Sequence, residues 1–160
     1  MITMSIDVPV NEDVPAGEEV LSRNEIWRGM VAKARDARDF VPGCTKCEVV
    51  DEGDGYVIRE AAINGIELKE IISFEDERKV IFHQVNGPWE GIIVNELVDD
   101  ENGTLLLRFY CLLSRLGVES GGEEELRDQA MFGGEKGYGP AIRQTIATTR
   151  RLLKGGKLPA

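Results

Sequence analysis

The stretch from Cys44 to Gly117 most constrains the fold. It consists of short runs rich in Val, Ile, Leu, Phe and Tyr, and turn-forming segments interrupt these runs at 53–55, 64–65, 75–78, 86–88 and 99–103. Apolar runs of this length, separated by turns, are typical of consecutive antiparallel strands. We therefore predict a meander of about six strands over nearly half of the chain.

Two further elements precede this meander. Residues 2–10 alternate strictly between apolar and polar side chains, which predicts another strand with one buried face. Ser22 followed by Glu25 forms the signature of a capping box and marks the start of a helix. We expect this helix to end near Asp39 or Phe40, where a Pro-Gly pair follows.

A helical pattern returns after the meander. Apolar residues at helical spacing fill 142–153, with Pro140 suited to the first turn and Gly155 to the C-cap. The glycines between 133 and 139 predict a kink or a gate, and the sequence leaves open whether 123–154 is one kinked helix or two helices. Strand, helix, meander and C-terminal helix together indicate an α+β fold in which helices cover one face of the sheet.

Composition excludes several classes of function. The chain has 160 residues, with 19 Lys and Arg against 29 Asp and Glu, which gives a net charge of −10. Such a surface repels nucleic acids and anionic membranes, and no window approaches the roughly 18 apolar residues of a spanning helix. The length of the chain predicts a single domain over 1–160. Residues 1–11 carry no signal-peptide pattern, so we expect the protein to be cytoplasmic.

The Asn64-Gly65 turn fixes the register of one hairpin. A two-residue type I′ turn places Arg59 directly opposite Glu70, on a face whose other members are apolar. Glu60 and Lys69 pair on the opposite, solvated face. Burying the Arg59–Glu70 pair requires hydrogen-bond partners or a wet cavity, so this pair is either a structural salt bridge or part of a site.

The sequence defines the register of the next hairpin less well. A four-residue loop at 75–78 would place Glu70 opposite His83, whereas a change of one residue in the loop would replace His83 by Phe82. Arg59, Glu70 and His83 in one row would provide an acid/base pair or an anchor for a polar headgroup. The alternative is a core histidine with a purely structural role.

Cysteine and histidine do not form a convincing metal site. Cys44, Cys47, Cys111 and His83 match the count of a tetrahedral zinc site. However, Cys47 leads directly into a strand, and residues three apart on a strand point to opposite faces. We predict no metal and no cofactor, and the three cysteines should be reduced thiols.

Several motifs carry a family resemblance. Besides the C-terminal helix, they lie in the N-terminal helix and its exit, in three residue pairs within strands and in the last strand: Leu21, Trp27, Phe40-Val41-Pro42-Gly43, Arg59-Glu60, Lys69-Glu70, Ile93-x-Asn95, Leu105, Leu107, Phe109 and Tyr110. Together they resemble the AtaL-like family of the SRPBCC superfamily, over about Ser5 to Lys154. That superfamily includes START lipid-transfer domains, the birch-pollen allergen and polyketide cyclases.

The resemblance implies a helix-grip fold, with a curved antiparallel sheet of about seven strands wrapped around the C-terminal helix. It also implies that a hydrophobic small molecule, lipid-like or polyketide-like, binds in a cavity between the sheet and that helix. It transfers no catalytic residue. We expect the cavity to be lined by eight residues: Trp27, Met30, Arg59, Glu70, Asn95, Phe109, Tyr138 and Ile142.

Two other functions stay open at this point. The first is an enzyme of the polyketide cyclase or dehydratase type, with Glu70 or His83 as general base. The second is a protein-interaction module that uses the outer sheet face, where Tyr56, Ile58 and Ile71 would lie. An oligomer is possible in either case, although no feature of the sequence predicts one.

Overall fold

A computed structural model describes the backbone of residues 1–160 and the side chains of all residues except 134 and 135. Seven strands and four helices make up the chain. The strands are β1 (Ile2–Pro9), β2 (Cys44–Gly53), β3 (Tyr56–Ile63), β4 (Ile66–Glu75), β5 (Lys79–Asn86), β6 (Trp89–Asp99) and β7 (Leu105–Arg115). The helices are α1 (Arg23–Arg35), α2 (Glu123–Phe132), α3 (Gly134–Gly137) and α4 (Gly139–Lys154).

All seven strands form one antiparallel sheet in the order β1-β7-β6-β5-β4-β3-β2. Helices α1 and α4 pack against each other and against the same face of the sheet, which we call the inner face. This confirms the predicted α+β, helix-grip arrangement. None of the helices in the described part of the chain is long and apolar enough to cross a membrane.

Helix α1 begins as predicted and ends earlier. Ser22 and Glu25 form both hydrogen bonds of the capping box. The helix stops at Arg35, and Asp36 adopts an extended conformation with φ −149°. The expected end near Asp39 or Phe40 is therefore wrong, because the chain forms a separate turn in which the Phe40 amide donates to the Ala37 carbonyl.

A close contact joins helix α1 to helix α4. A Cβ atom added at Gly29 would lie 1.9 Å from Oγ1 of Thr149, so only glycine allows this approach. The Thr149 hydroxyl in turn donates to the carbonyl of Thr145 in its own helix. The contact brings the buried side of α1 towards the inner face of the sheet.

The C-terminal helical segment is broken. Gly133, with φ −75° and ψ 154°, interrupts the helix after α2, and a second break at Tyr138 separates α3 from α4. Pro140 lies in the first turn of α4 and Gly155 caps its end, both as predicted. Residues 123–154 therefore form three helices, where the sequence left open one kinked helix or two.

The β3–β4 hairpin has the predicted register. Asn64 and Gly65 have φ of +50° and +78°, as a type I′ turn requires, and Arg59 lies opposite Glu70. On the outer face, Lys69 Nζ lies 3.7 Å from Glu60 Oε1.

The β4–β5 register differs from the expected one. Glu75 pairs with Lys79, so the loop has three residues, and its middle residue Glu77 has φ +50°. Glu70 consequently pairs with Gln84, while His83 pairs with Ile71 and is exposed. The predicted row of Arg59, Glu70 and His83 is therefore wrong, because one residue in the loop moves His83 to the outer face.

Candidate ligand-binding site

The predicted apolar residues converge beneath the helices. Four of them belong to one buried cluster, against which Tyr138 packs half-buried: Trp27, Met30, Phe109 and Ile142. The rings of Phe109 and Tyr138 meet edge to face with centroids 6.3 Å apart. This aromatic and aliphatic wall is the apolar part of the candidate site.

A buried ion pair lies on the inner face beside this wall. Arg59 Nε donates to Glu70 Oε2 at 2.9 Å, and Arg59 Nη2 donates to the same oxygen. Gln84 Nε2 donates to the other carboxylate oxygen of Glu70. The three residues are at most 6 % exposed, so their hydrogen bonds form away from solvent. We call them the Arg59 triad.

The Arg59 guanidinium also caps helix α1. Its Nη1 donates to the carbonyls of Lys33 and Ala34, both at 3.0 Å, in the last turn of that helix. A cation at this position satisfies carbonyls that lack partners inside the helix and interacts favourably with the helix dipole. All three guanidinium nitrogens of Arg59 are therefore hydrogen-bonded to protein groups.

A second polar group lies nearby and is bonded differently. Lys33 Nζ donates to Asn95 Oδ1 at 3.0 Å and lies 4.4 Å from the ring centroid of Phe109. Among the described side chains, no carboxylate lies within 4.0 Å of this nitrogen. The Lys33 ammonium is thus stabilised by an amide oxygen and an aromatic face instead of a counter-ion. We call Lys33 and Asn95 the Lys33 pair.

Burial shifts the protonation of Lys33. Desolvation is the largest cause, the positive charge of Arg59 adds to it and Glu70 opposes it, and together they lower the pKa of Lys33 from 10.5 to about 7. The residue as a whole is half-buried. Near neutral pH the group therefore exists in both protonation states.

Asn95 carries an unsatisfied donor. The residue is 1 % exposed, and its Nδ2 has no hydrogen-bond partner among the described residues. Buried amide groups without partners are rare in proteins and require an explanation. The predicted inner-face position of Asn95 is confirmed, and its free N–H groups lie next to the Lys33 amine.

The inner face is partly accessible beside this pair. Ile93 lies two residues before Asn95 on the same face of β6, and both Ile93 and Tyr138 are only half-buried. Four depressions of about 460 to 650 Å³ lie at the surface; of the eight predicted lining residues only Trp27 borders one of them, and Gln84 of the Arg59 triad borders another. Ile93, Lys33 and Tyr138 are therefore the half-buried part of the candidate site.

The outer face holds the remaining candidates. His83 lies there, far from the hydrogen bonds of Glu70, and cannot share a proton with it. Tyr56 and Ile71 are each 37 % exposed, whereas Ile58 is half-buried. Ile58 and Ile71 lie directly opposite each other on β3 and β4, Tyr56 lies two residues before Ile58 on the same face, and the charged residues Glu60 and Lys69 follow on that face.

The cysteines do not assemble into a metal centre. Cys44 and Cys47 lie near Ala37 and Ala61, whereas Cys111 belongs to a different cluster with Met4. Burial raises the pKa of the Cys111 thiol. No group of three or more His, Cys, Asp or Glu residues within the described side chains could hold a metal ion.

Sequence reasoning missed two site residues. Lys33 lies seven residues after Ile26 and three after Met30, which places it on the buried stripe of α1. That spacing was the signal, although lysines at such positions usually extend to solvent. Gln84 was missed because the β4–β5 register depended on the loop.

Solved structures of similar shape define the class of fold. The aromatase/cyclase ZhuI from Streptomyces sp. R1128 has a TM-score of 0.62 and 13 % identity, over 97 % of this chain and 96 % of that one. The protein named Ara h 8.0201 has a TM-score of 0.53 and 12 % identity, over 92 % of this chain and 96 % of that one. The di-domain aromatase/cyclase StfQ of the steffimycin pathway has a TM-score of 0.61 and 9 % identity, over 97 % and 52 %. At these identities the likeness shows a shared fold.

The family follows from the sequence itself. The family model described as acetylaranotin biosynthesis cluster protein L, AtaL, matches residues 4–156. The chain therefore belongs to the AtaL family, in agreement with the resemblance of its motifs. No curated protein matches the chain.

Proposed function

We propose that this protein binds a hydrophobic small molecule, lipid-like or polyketide-like, that carries a polar oxygen at one end. The observation that carries the proposal is the Lys33 pair: a buried amine without a counter-ion and a buried amide nitrogen without a partner, side by side on an apolar face. Ligand sites are typically apolar with a few polar groups that fix orientation.

Each part of such a ligand has a matching surface. The apolar body would lie against Phe109, Tyr138 and Ile142, with Met30 from helix α1 on the other side. The oxygen would accept hydrogen bonds from Lys33 Nζ and Asn95 Nδ2, which satisfies the unpaired donor.

The local charge favours an oxygen that is negative or strongly polarised. Arg59 and Glu70 neutralise each other, so a protonated Lys33 leaves one excess positive charge on the inner face. A carboxylate, enolate or phenolate oxygen would supply the missing counter-charge and would raise the pKa of Lys33. Ligand binding at pH 7 to 8 would then be accompanied by proton uptake.

The comparisons support the general part of the proposal, which is that a protein of this fold binds a small molecule. Membership in the AtaL family and the likeness to proteins named aromatase/cyclases are consistent with a fold that encloses small molecules. Those activities belong to the named proteins, and the low identity carries none of their residues across.

A second candidate function, an enzyme of the cyclase or dehydratase type, has one observation in its favour. A Lys33 pKa of about 7 suits proton transfer near neutral pH. Glu70 is a poorer general base than we expected, because both of its oxygens accept hydrogen bonds from Arg59 or Gln84. In this alternative Lys33 replaces Glu70 and His83 as the proton-transferring group.

Identification of the small molecules that purify with the protein tests the proposal. The protein is purified natively, denatured, and its released small molecules are identified by mass spectrometry beside Lys33→Met and Lys69→Met variants. Lys69 is the matched control because it lies in an exposed ion pair on the outer face. We expect a stoichiometric apolar compound in the wild type and in Lys69→Met, and its loss in Lys33→Met.

Saturation binding of anilinonaphthalene sulfonate, an apolar probe with one anionic group, provides a second measurement. We expect enhanced fluorescence that Lys33→Met weakens and Lys69→Met preserves. No bound compound from any host, together with no saturable probe binding, would contradict the proposal.

A further inference from the structure

The Lys33 amine has the surroundings of a nucleophile. Its nitrogen lies 3.0 Å from Asn95 Oδ1 and 4.4 Å from the Phe109 ring centroid, and both of these neighbouring side chains are at most 2 % exposed. Lysines become nucleophilic when an apolar pocket or a neighbouring cation disfavours their charged form, and Lys33 has both influences. The neighbouring cation is Arg59, which bonds the Lys33 carbonyl.

The adjacent donor suits a carbonyl substrate. A carbonyl carbon placed over Lys33 Nζ would bring its oxygen within reach of Asn95 Nδ2, the buried N–H group without a partner. A donor aimed at the oxygen withdraws electrons from the carbon and stabilises the negative charge that forms on attack.

We propose that Lys33 forms a reversible imine with an aldehyde or ketone ligand, and that Asn95 polarises the carbonyl. This inference rests on the proposed function and specifies its ligand class. The amine attacks the carbonyl carbon, and the π electrons of the C=O bond move to oxygen. One proton passes from nitrogen to oxygen to give a carbinolamine. As the C–O bond breaks, the second proton of the nitrogen departs with the oxygen as water and the nitrogen electron pair forms the C=N bond, so nothing is oxidised or reduced.

The charges around Lys33 are compatible with this step. Arg59 on β3 disfavours the ammonium, which leaves part of the amine free near pH 7, and Glu70 on β4 partly compensates. Burial raises the pKa of Tyr138 above its usual range, so this neighbour stays neutral. The face of the Phe109 ring would stabilise a protonated imine as it stabilises the ammonium.

The other lysines have a different environment. Four of the six lie within 4.0 Å of glutamate oxygens in ion pairs: Lys46, Lys69, Lys79 and Lys154. A carboxylate partner favours the charged ammonium, which cannot attack a carbonyl. Selective reaction at Lys33 is therefore the signature of the proposed site.

Reductive trapping tests the imine. The folded protein is incubated at pH 7 with 2-naphthaldehyde and sodium cyanoborohydride, which reduces an imine to a stable secondary amine. Intact-mass spectra and peptide mapping then locate the naphthylmethyl group. We expect a single adduct on Lys33 that forms at least about tenfold faster than the adduct on Lys69.

Three variants sharpen the result. Lys33→Arg keeps a cation at the site and should abolish the fast adduct, while Lys69→Arg should leave it unchanged. Asn95→Leu keeps the side-chain volume and should slow the reaction at Lys33 about tenfold or more. An unchanged rate in Asn95→Leu would overturn the role of Asn95, and slow labelling spread over surface lysines would overturn the imine.

A non-reactive analogue separates this inference from the proposed function. 2-Naphthalenemethanol has the same ring system and an oxygen but no carbonyl, and its binding is followed by equilibrium dialysis. Saturable binding of the alcohol without an aldehyde adduct on Lys33 would contradict the imine and leave the binding function standing. If neither compound binds, both proposals fail.

Discussion

The Arg59 triad and the Lys33 pair are neighbours on one face of one sheet, yet their hydrogen bonding differs. In the triad, Arg59 donates to Glu70 and to two helix carbonyls, and Glu70 also accepts from Gln84. In the pair, Lys33 has one amide oxygen, and Asn95 keeps an unpaired nitrogen.

The difference indicates what each group does. A buried charge whose hydrogen bonds are complete holds elements together and has little left to offer a ligand. A buried polar group with unused donors loses free energy in the empty protein and regains it when a ligand binds. Mutations in the Arg59 triad should therefore affect mainly stability, and mutations in the Lys33 pair should affect mainly binding.

The largest effect is expected from breaking the triad. Glu70→Ala leaves the Arg59 guanidinium buried without a counter-charge and should lower the free energy of unfolding by about 3–5 kcal/mol. Urea denaturation at pH 7 measures it. The matched control is Glu60→Ala on the outer face, where loss of an exposed pair should lower it by about 0–1 kcal/mol. Equal losses in both variants would show that the triad is not a structural centre.

The Lys33 pair should make the free energy of unfolding depend on pH. The folded-state pKa of Lys33 lies below its unfolded value, so the unfolded chain binds more protons between about pH 7 and 10.5. The contribution of Lys33 to stability therefore rises with pH in that window, by up to about 1.4 kcal/mol per pH unit. Lys33→Met removes this dependence.

The measurement is the difference in unfolding free energy between wild type and Lys33→Met, determined at several values from pH 7 to 9. We expect the wild type to gain on the variant by roughly 2 kcal/mol over this range. A difference that stays constant with pH would contradict the lowered pKa.

A smaller effect is expected from a change at the contact between α1 and α4, which should lower both stability and binding at Lys33. Gly29→Ala forces a methyl group against Thr149 and should lower the free energy of unfolding by about 1–3 kcal/mol. Because it displaces helix α1, it should also reduce probe binding at Lys33. Thermal unfolding and anilinonaphthalene sulfonate titration report the two effects, and Thr149→Ala as a second change should restore part of both. Normal stability and binding in Gly29→Ala would argue against the tight α1–α4 contact.

The smallest expected effect concerns the ring beneath the amine. Phe109→Leu removes the aromatic face that stabilises the Lys33 ammonium, a contribution of about 0.5–1 kcal/mol. The pKa of Lys33 should then fall by roughly half a unit. Carbon-13 NMR of the lysine Cε measures it, with Phe74→Leu as the control because Phe74 packs on Trp27. A rise in the pKa, or the same fall in both variants, would contradict the cation–π contact.

The sequence allowed one hairpin to be predicted fully and its neighbour only in part. Asn64 and Gly65 both favour left-handed backbone, which fixes the turn length and hence the Arg59–Glu70 pairing. The next turn depends on Glu77 adopting φ +50°, and no turn-forming dipeptide announces it. Since the side-chain period of a strand is two, this one residue exchanged His83 for Gln84.

The site was harder to predict than the fold. Trp27, Met30, Phe109 and Ile142 follow from apolar periodicity and are confirmed as members of one core cluster. Lys33 lies on the same stripe, but its burial depends on Asn95 and Phe109 from distant strands. The end of α1 likewise depends on a contact 25 residues away, which helix-stop signals do not contain.

The cap that Arg59 places on helix α1 also couples the end of this helix to the β3–β4 hairpin. Two carbonyls in the last turn of α1 receive their hydrogen bonds from a residue that lies in the later β3–β4 hairpin. That hairpin closes through a local two-residue turn, and such hairpins form in about 1–10 μs. The last turn of α1, and with it the backbone of Lys33, therefore has its full set of hydrogen bonds only in a chain whose hairpin is docked, so the position of the Lys33 amine depends on a residue 26 positions further along the chain.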